Sequence, residues 1–173
     1  MNIVVRFVKN NFDTLPKKLI HFIYSTNQSN IPALGSLESL VHVQELYACS
    51  KYLVFIKNES DYLGFAFVMD SKSDYQSVNY QYFKKKYKEF LYVDRVAVAD
   101  KFQRIGVGSK IYKELYHLSS KALVPLCCEV NTFPLNQQSL DFHSKEKFNN
   151  IEEVNFGKKR VAMLVKYCNP LNI

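Results

Sequence analysis

The sequence predicts one domain of the α/β (α+β) class: a mixed, mostly antiparallel sheet of about seven strands flanked by about four helices. Three observations carry this prediction. The chain has 173 residues, the size of a single domain able to bury a core. Its residues are 47% hydrophobic with only five Gly and five Pro, which excludes disordered, collagen-like and low-complexity chains. Strand-like alternation and helix-like periodicity take turns along its whole length without a repeat or a Gly/Ser linker, so residues 1–173 read as one unit.

Residues 3–8 read as a first strand. Thr14 is expected to cap a helix over about 15–24, where Leu19, Ile20 and Ile23 form an apolar stripe and Pro16 stands early. A loop over 27–35 follows. Ser36 then precedes a second helix, with Leu37, Leu40, Val41 and Leu46, ending near Ala48. Residues 52–56 and 62–69 are β-rich runs separated by Asn58, Ser60 and Asp61, a hairpin signal. The polar, Tyr-rich stretch 70–88 reads as a loop with a short helix near its end. Residues 90–98 make the strongest strand, followed by a glycine turn at 103–108 and a helix through Ile111, Leu115 and Leu118. A strand over 126–130, a helix over 137–145 and a hairpin of 153–156 with 160–167, turned at Gly157, complete the chain. The order is β-α-α-β-β-β-α-β-α-β-β.

The 23 basic against 16 acidic side chains give a net charge of +7, which favours an anionic partner without naming one. Only Arg6, Arg95, Arg104 and Arg160 are arginines, and Lys84 to Lys86 read as a solvated helix face, so no nucleic acid is expected. A nucleic-acid binder would show steep salt dependence. Cys49, Cys127, Cys128 and Cys168 form no C-x-x-C pair, so no metal site and no disulfide framework is expected. The apolar N-terminal run is interrupted at Arg6 and is too short for a signal segment or membrane span, which predicts a cytoplasmic protein without membrane contact.

Gln103, Arg104, Ile105, Gly106, Val107, Gly108 and Ser109 place two glycines where a strand meets a helix. Backbone N–H groups at such a junction can close around phosphate oxygens, helped by the helix dipole. The same spacing also suits a plain tight turn. A dinucleotide fingerprint would need Gly at Ile111, and a Walker loop would need Gly at Gln103 and Lys at Ser109, so both nucleotide motifs fail.

Gln103-Arg-Ile-Gly106-Val-Gly108, after a strand ending Val96-Ala97-Val98, resembles motif A of the GNAT (GCN5-related N-acetyltransferase) superfamily, Q/R-x-x-G-x-G/A. Asn136-Gln-Gln-Ser139-Leu-Asp-Phe-His143, closing at Phe148, resembles its motif B. The element order matches over essentially the whole chain. Arg104 and Lys147 stand where the family often has Gly, His143 stands at the usual Tyr, and the connection over 131–135 looks longer than usual. More locally the chain is similar to a branch of bacterial acetyltransferases known mainly as predicted enzymes.

The resemblance implies a sheet with splayed central strands, acetyl-CoA as co-substrate and no metal. It places the coenzyme on Val96, Ala97, Val98, residues 103–109, Asn136 and Ser139, with charge added by Arg104 and Lys110. It also allows a homodimer. The implied reaction is attack of a primary amine of a small molecule or peptide on a thioester in a ternary complex. Freeing a lysine-like amine of its proton at pH 7 costs about 4.6 kcal/mol, and an α-amine about 1 kcal/mol. Asp94 and Glu129 are the candidate bases, and His143 is the candidate acid for the departing sulfur. Residues 27–35 and a wall of Tyr75, Tyr80, Tyr82 and Phe83 would frame the acceptor. A non-catalytic acyl-CoA sensor of the same fold is the alternative.

Overall fold

The computed structural model describes residues 4–9 and 14–168. Its elements are β1 (Val4–Lys9), α1 (Lys17–Ser29), α2 (Leu40–Cys49), β2 (Tyr52–Lys57), β3 (Tyr62–Asp70), α3 (Val78–Lys86), β4 (Leu91–Val98), α4 (Val107–Ala122), β5 (Leu126–Phe133), α5 (Gln137–Lys145), β6 (Asn149–Asn155) and β7 (Arg160–Lys166). All seven strands join one sheet in the order β1-β2-β3-β4-β5-β7-β6. Ile3, expected in the first strand, lies outside the described residues. No helix among the described residues is long and apolar enough to cross a membrane.

The uninterrupted apolar run of β3 is buried from Leu63 to Met69 because helices cover both faces of the sheet. One core layer packs Leu19, Ile23, Val43, Leu46, Tyr80 and Phe83 of α1, α2 and α3 against one face. A second packs Val107, Ile111, Tyr112 and Leu115 of α4, with Leu140 and Phe142 of α5, against the other.

Several sequence expectations are corrected. Thr14 does not cap α1. Pro16 occupies the cap position, and its carbonyl accepts from the N–H groups of Leu19 (2.9 Å) and Ile20 (3.1 Å), which needs no side-chain hydroxyl. The cap of α2 is Ser39, whose Oγ accepts from the His42 N–H at 3.3 Å, while Ser36 Oγ accepts from Gln28 Nε2 at 3.2 Å. The described residues hold five α-helices against about four expected, because the short helix expected near the end of 70–88 forms as the nine-residue α3. It is driven by Tyr80 and Phe83, three apart and both fully buried. β5 runs past Val130 to Phe133 because β7 pairs along its whole length.

The sheet is interrupted in its middle. β4 pairs with β3 antiparallel from Leu91 to Val98, whereas its parallel pairing with β5 covers only Leu91 with Leu126 and Tyr92 with Cys127. In the β3–β4 register Phe67 faces Arg95 and Val68 faces Val93, so Asp94 is an extra residue on β4. Such a bulge bends its strand and increases the local twist. Beyond it β4 stays with β3, β5 stays with β7, and a V-shaped gap opens between them.

Gly64 of β3 faces Ala97 of β4 and the start of α4. A Cβ there would lie 2.9 Å from the Ala97 carbonyl oxygen, 3.1 Å from Ile111 Cδ1 and 3.2 Å from Val107 Cγ1. The missing side chain lets α4 sit close to the sheet. Gly64→Ala is expected to cost about 1–3 kcal/mol through overpacking, read as a lowered urea midpoint, and an unchanged midpoint would refute this account.

Candidate active site

The gap between β4 and β5 opens into a cleft of about 1090 Å³ that passes from one face of the sheet to the other. At one end stands the start of α4. Gly106 is its N-cap residue with φ +86°, a conformation open to glycine at no steric cost. The first-turn N–H groups of a helix have no intrahelical acceptors, so those after Gly106 face the cleft as donors at the positive end of the dipole. Gly108 also lines the cleft, and a Cβ on it would meet the Phe142 ring of α5 at 3.5 Å.

Arg104 and Ser109 line this end, as predicted from motif A, together with Val96, Ala97 and Val98 of the β4 edge. Gln103 lines it too, but its Nε2 donates to the Val98 carbonyl (3.2 Å) and Asp100 Oδ1 (3.1 Å), bracing the turn. Two expected contacts are not made by side chains: Val107 is 1% exposed within the core, and Ile105 is 53% exposed and turned away from the cleft. Lys110 is likewise exposed outside it.

Arg104 (φ +61°) and Lys147 (φ +65°) both have left-handed backbones. These are the two positions where the motifs favour glycine, so the backbone keeps a shape for which the side chains are poorly suited, at a cost of about 1–2 kcal/mol each.

α5 borders the same end. Asn136 caps it, its Oδ1 accepting from the Ser139 N–H at 3.1 Å, which occupies the oxygen that a ligand would otherwise use. The buried His143 has both ring nitrogens engaged: Nδ1 lies 2.7 Å from the Ser139 carbonyl oxygen and Nε2 lies 2.6 Å from the Tyr112 hydroxyl. A carbonyl can only accept, so Nδ1 carries the proton and Nε2 accepts from the Tyr112 O–H. Burial pushes the imidazole pKa below its ordinary value, holding the ring neutral. His143, expected as the acid, thus stands at the cleft as the acceptor of the Tyr112 hydroxyl. Burial raises the pKa of the Tyr112 phenol well above the usual one, so its one O–H stays engaged on His143 Nε2. Tyr112 was missed in the sequence, although it stands one helical turn after Gly108 and so on the same face.

On the opposite face of the sheet the bulge sets Asp94 and Arg95 side by side. Asp94 is 7% exposed; its Oδ1 accepts from the Tyr75 hydroxyl at 2.7 Å and its Oδ2 lies 3.3 Å from Arg95 Nε. Arg160 pairs with Glu153. Across the gap, Glu129 Oε1 accepts from Asn79 Nδ2 at 2.7 Å and Oε2 from the Tyr92 hydroxyl at 2.8 Å. Burial, reinforced by the charge of Asp94, pushes its pKa up to about 7 against the bonds from Tyr92 and Asn79. Asp94 is also raised by burial, with Arg95 and Tyr75 pulling it back.

The loop over 27–35 contributes Asn30, Leu34 and Gly35 to this half of the cleft. Of the predicted aromatic wall only Tyr75 lines it. Tyr80 and Phe83 are fully buried in the core, and Tyr82 donates to Glu152 Oε2 at 2.5 Å on β6. The turn between β6 and β7 adds Phe156 and Lys159, which the sequence did not single out.

No protein-family model and no curated protein matches the sequence. Solved structures do match in shape. An N-acetyltransferase from Staphylococcus aureus Mu50 superposes with a TM-score of 0.67 at 14% identity, over 96% of this chain and 99% of that one. The ribosomal-protein-S18-alanine N-acetyltransferase from Escherichia coli gives 0.63 at 14% identity, over 98% and 99%. Arabidopsis thaliana NAA60 in complex with acetyl-CoA gives 0.69 at 12% identity, over 96% and 99%. At these identities the likeness is one of fold.

Two stability measurements test the site. Lys147→Gly is expected to raise the midpoint of unfolding, by up to about 1 kcal/mol, since glycine relieves the left-handed strain but loosens the unfolded chain; a lowered midpoint would contradict this. Glu129 holds its proton to a higher pH in the fold than in the unfolded chain. The fold is therefore penalised progressively as pH rises from the ordinary value of 4.5 through about 7. Glu129→Gln escapes that penalty, so its stability relative to wild type should improve between pH 5 and pH 8 by as much as about 3 kcal/mol. A pH-independent difference would mean that the carboxyl is not perturbed.

Proposed function

We propose that this chain, which has the GNAT fold, is an acetyl-CoA-dependent N-acetyltransferase that acts on a primary amine of a small molecule or peptide in a ternary complex. The observation that carries the reading is the cleft itself: an open helix N-terminus on one face of the split sheet and a carboxylate with a pKa of about 7 on the other.

The residues fit the coenzyme. The edges of β4 and β5 facing the gap leave backbone N–H and C=O groups for an extended, amide-bearing arm to pair with as an added strand. Open space around the Gly106 Cα, with nothing within 4 Å of a built Cβ, leaves the α4 N-terminus accessible to phosphate oxygens. Arg104 supplies positive charge there. Bound acetyl-CoA would supply a thioester carbonyl open to attack by the amine, with coenzyme A thiolate as the leaving group. The structure of the Arabidopsis neighbour holds acetyl-CoA, which supports the donor, and the Escherichia coli neighbour is named for acting on an alanine of a ribosomal protein, which supports an amine acceptor.

Glu129 serves as the base. With a pKa near 7 it is about half ionised at neutral pH and can accept a proton from an ammonium group at Oε1 or Oε2. Asp94 stands beside it, with Oδ1 accepting from the Tyr75 hydroxyl and Oδ2 3.3 Å from Arg95 Nε. Tyr112 keeps its proton, which is held in the hydrogen bond to His143 Nε2. His143, neutral and anchored on the Ser139 carbonyl, orients that hydroxyl. A sensor would have no use for a carboxylate poised in this way.

Calorimetry with coenzyme A tests the cradle: wild type is expected to bind, and Gly106→Val, which forces a β-branched residue into a left-handed backbone, to bind at least tenfold more weakly. A screen of amines for acetyl-CoA consumption tests the chemistry. Glu129→Gln should lower kcat about 10²- to 10⁴-fold and abolish the rise of rate with pH through about 7. The proposal is falsified if wild type binds no coenzyme A.

A further inference from the structure

We infer that Arg95 is a positioning residue for the amine acceptor: through Asp94 beside it, its guanidinium fastens both walls of the acceptor half of the cleft to the bulge of β4. This inference rests on the proposed transferase reading for the word acceptor, but the fastening stands on geometry alone.

The first wall is the loop after α1. Arg95 Nη1 donates to Asn27 Oδ1 at 2.8 Å and to the Gly35 carbonyl. Asn27, fully buried, donates from Nδ2 to the same Gly35 carbonyl (3.0 Å) and to Gln28 Oε1 (3.1 Å), and Gln28 Oε1 also accepts from the Leu37 N–H at 2.9 Å. The loop is thus closed on itself, and Arg95 ties it to the sheet. The second wall is Tyr75. Its hydroxyl donates to Asp94 Oδ1, and its carbonyl accepts from Gln81 Nε2 of α3 at 2.7 Å. Arg95 Nε, 3.3 Å from Asp94 Oδ2, joins the two halves.

The bulge is what permits this. In a regular strand neighbouring side chains point to opposite faces, whereas here Asp94 and Arg95 share one. The job also requires the planar guanidinium fork. A lysine could supply the charge, but its single ammonium cannot hold two oxygens on the loop while facing Asp94. A displacement of about 1 Å in a wall that orients a reactant can cost about 10²-fold in rate.

The experiment compares wild type with Arg95→Lys, Arg95→Met and Asn27→Ala, using backbone hydrogen exchange and steady-state kinetics. Exchange is expected to quicken at least tenfold over residues 28–37 in all three variants, and over 73–79 in the two Arg95 variants, while residues 107–122 stay protected. With a free-amine tripeptide or a linear diamine as acceptor, acceptor KM should rise at least tenfold, with KM for acetyl-CoA and the rise of kcat through about pH 7 unmoved. Unchanged exchange over 28–37 overturns the inference, whichever variants fold. Faster exchange with an unchanged acceptor KM also overturns it, since Arg95 would then be structural only. If wild type acetylates neither amine, the transferase reading suffers, and the exchange comparison still decides whether Arg95 holds the walls.

Discussion

One unpaired stretch of backbone organises this molecule. β4 and β5 lie side by side for two residue pairs and then part, because an inserted Asp94 turns β4 after β3 while β5 is bound along its length to β7. Buried peptide groups without partners are costly, at roughly 1–3 kcal/mol each. A fold that keeps several of them at its centre must either flood the gap with water or fill it with another chain of amides. The rest of the structure follows from that demand. α4 starts where the gap widens, Gly64 lets it lie close to the sheet, and Gly106 turns the chain so that its free N–H groups face inward.

The split also sorts the polar residues into two sets. Tyr112 and His143 belong to the layer of α4 and α5, whereas Asp94, Arg95, Glu129, Asn79 and Tyr75 belong to the layer of α1, α2 and α3. Each set is hydrogen-bonded and largely buried, so burial is the first cause of the shifts in both. His143 is kept neutral while Glu129 is raised, although both are reached from the same cleft. The raised carboxyl and the Tyr112–His143 pair thereby stand on opposite faces of the sheet, with no need for long side chains.

Much of this was legible in the sequence, and the reason differs by element. The order of strands and helices could be read because β2 and β3 carry unbroken apolar runs and α4 a clean stripe. The α4 turn could be read because glycines at 106 and 108 have few other uses at a strand end. The bulge was harder, although Asp94-Arg95, two charged neighbours inside an apolar strand, is its trace. The interior of the 70–88 segment misled because aromatic residues serve walls and cores equally well; only the three-residue spacing of Tyr80 and Phe83 says core. The protonation of His143 could not be read, since its tautomer depends on a carbonyl four residues back and a hydroxyl on another helix. Thr14 and Ser36 have good capping chemistry, yet Pro16 and Ser39 sit at the actual starts. At Arg104 and Lys147 the motif departures looked like differences in chemistry, and the backbone shows them to be left-handed positions held without glycine.

A cleft that runs through a sheet has two doors. On the reading proposed above, coenzyme and amine would arrive on opposite faces and meet only at the vertex of the V, so neither would block the path of the other. Saturation with one would then leave the approach of the other open, and each product could depart by the side its parent used. Such a layout favours random order of addition, and inhibition by a product would be competitive only toward the reactant that shares its face.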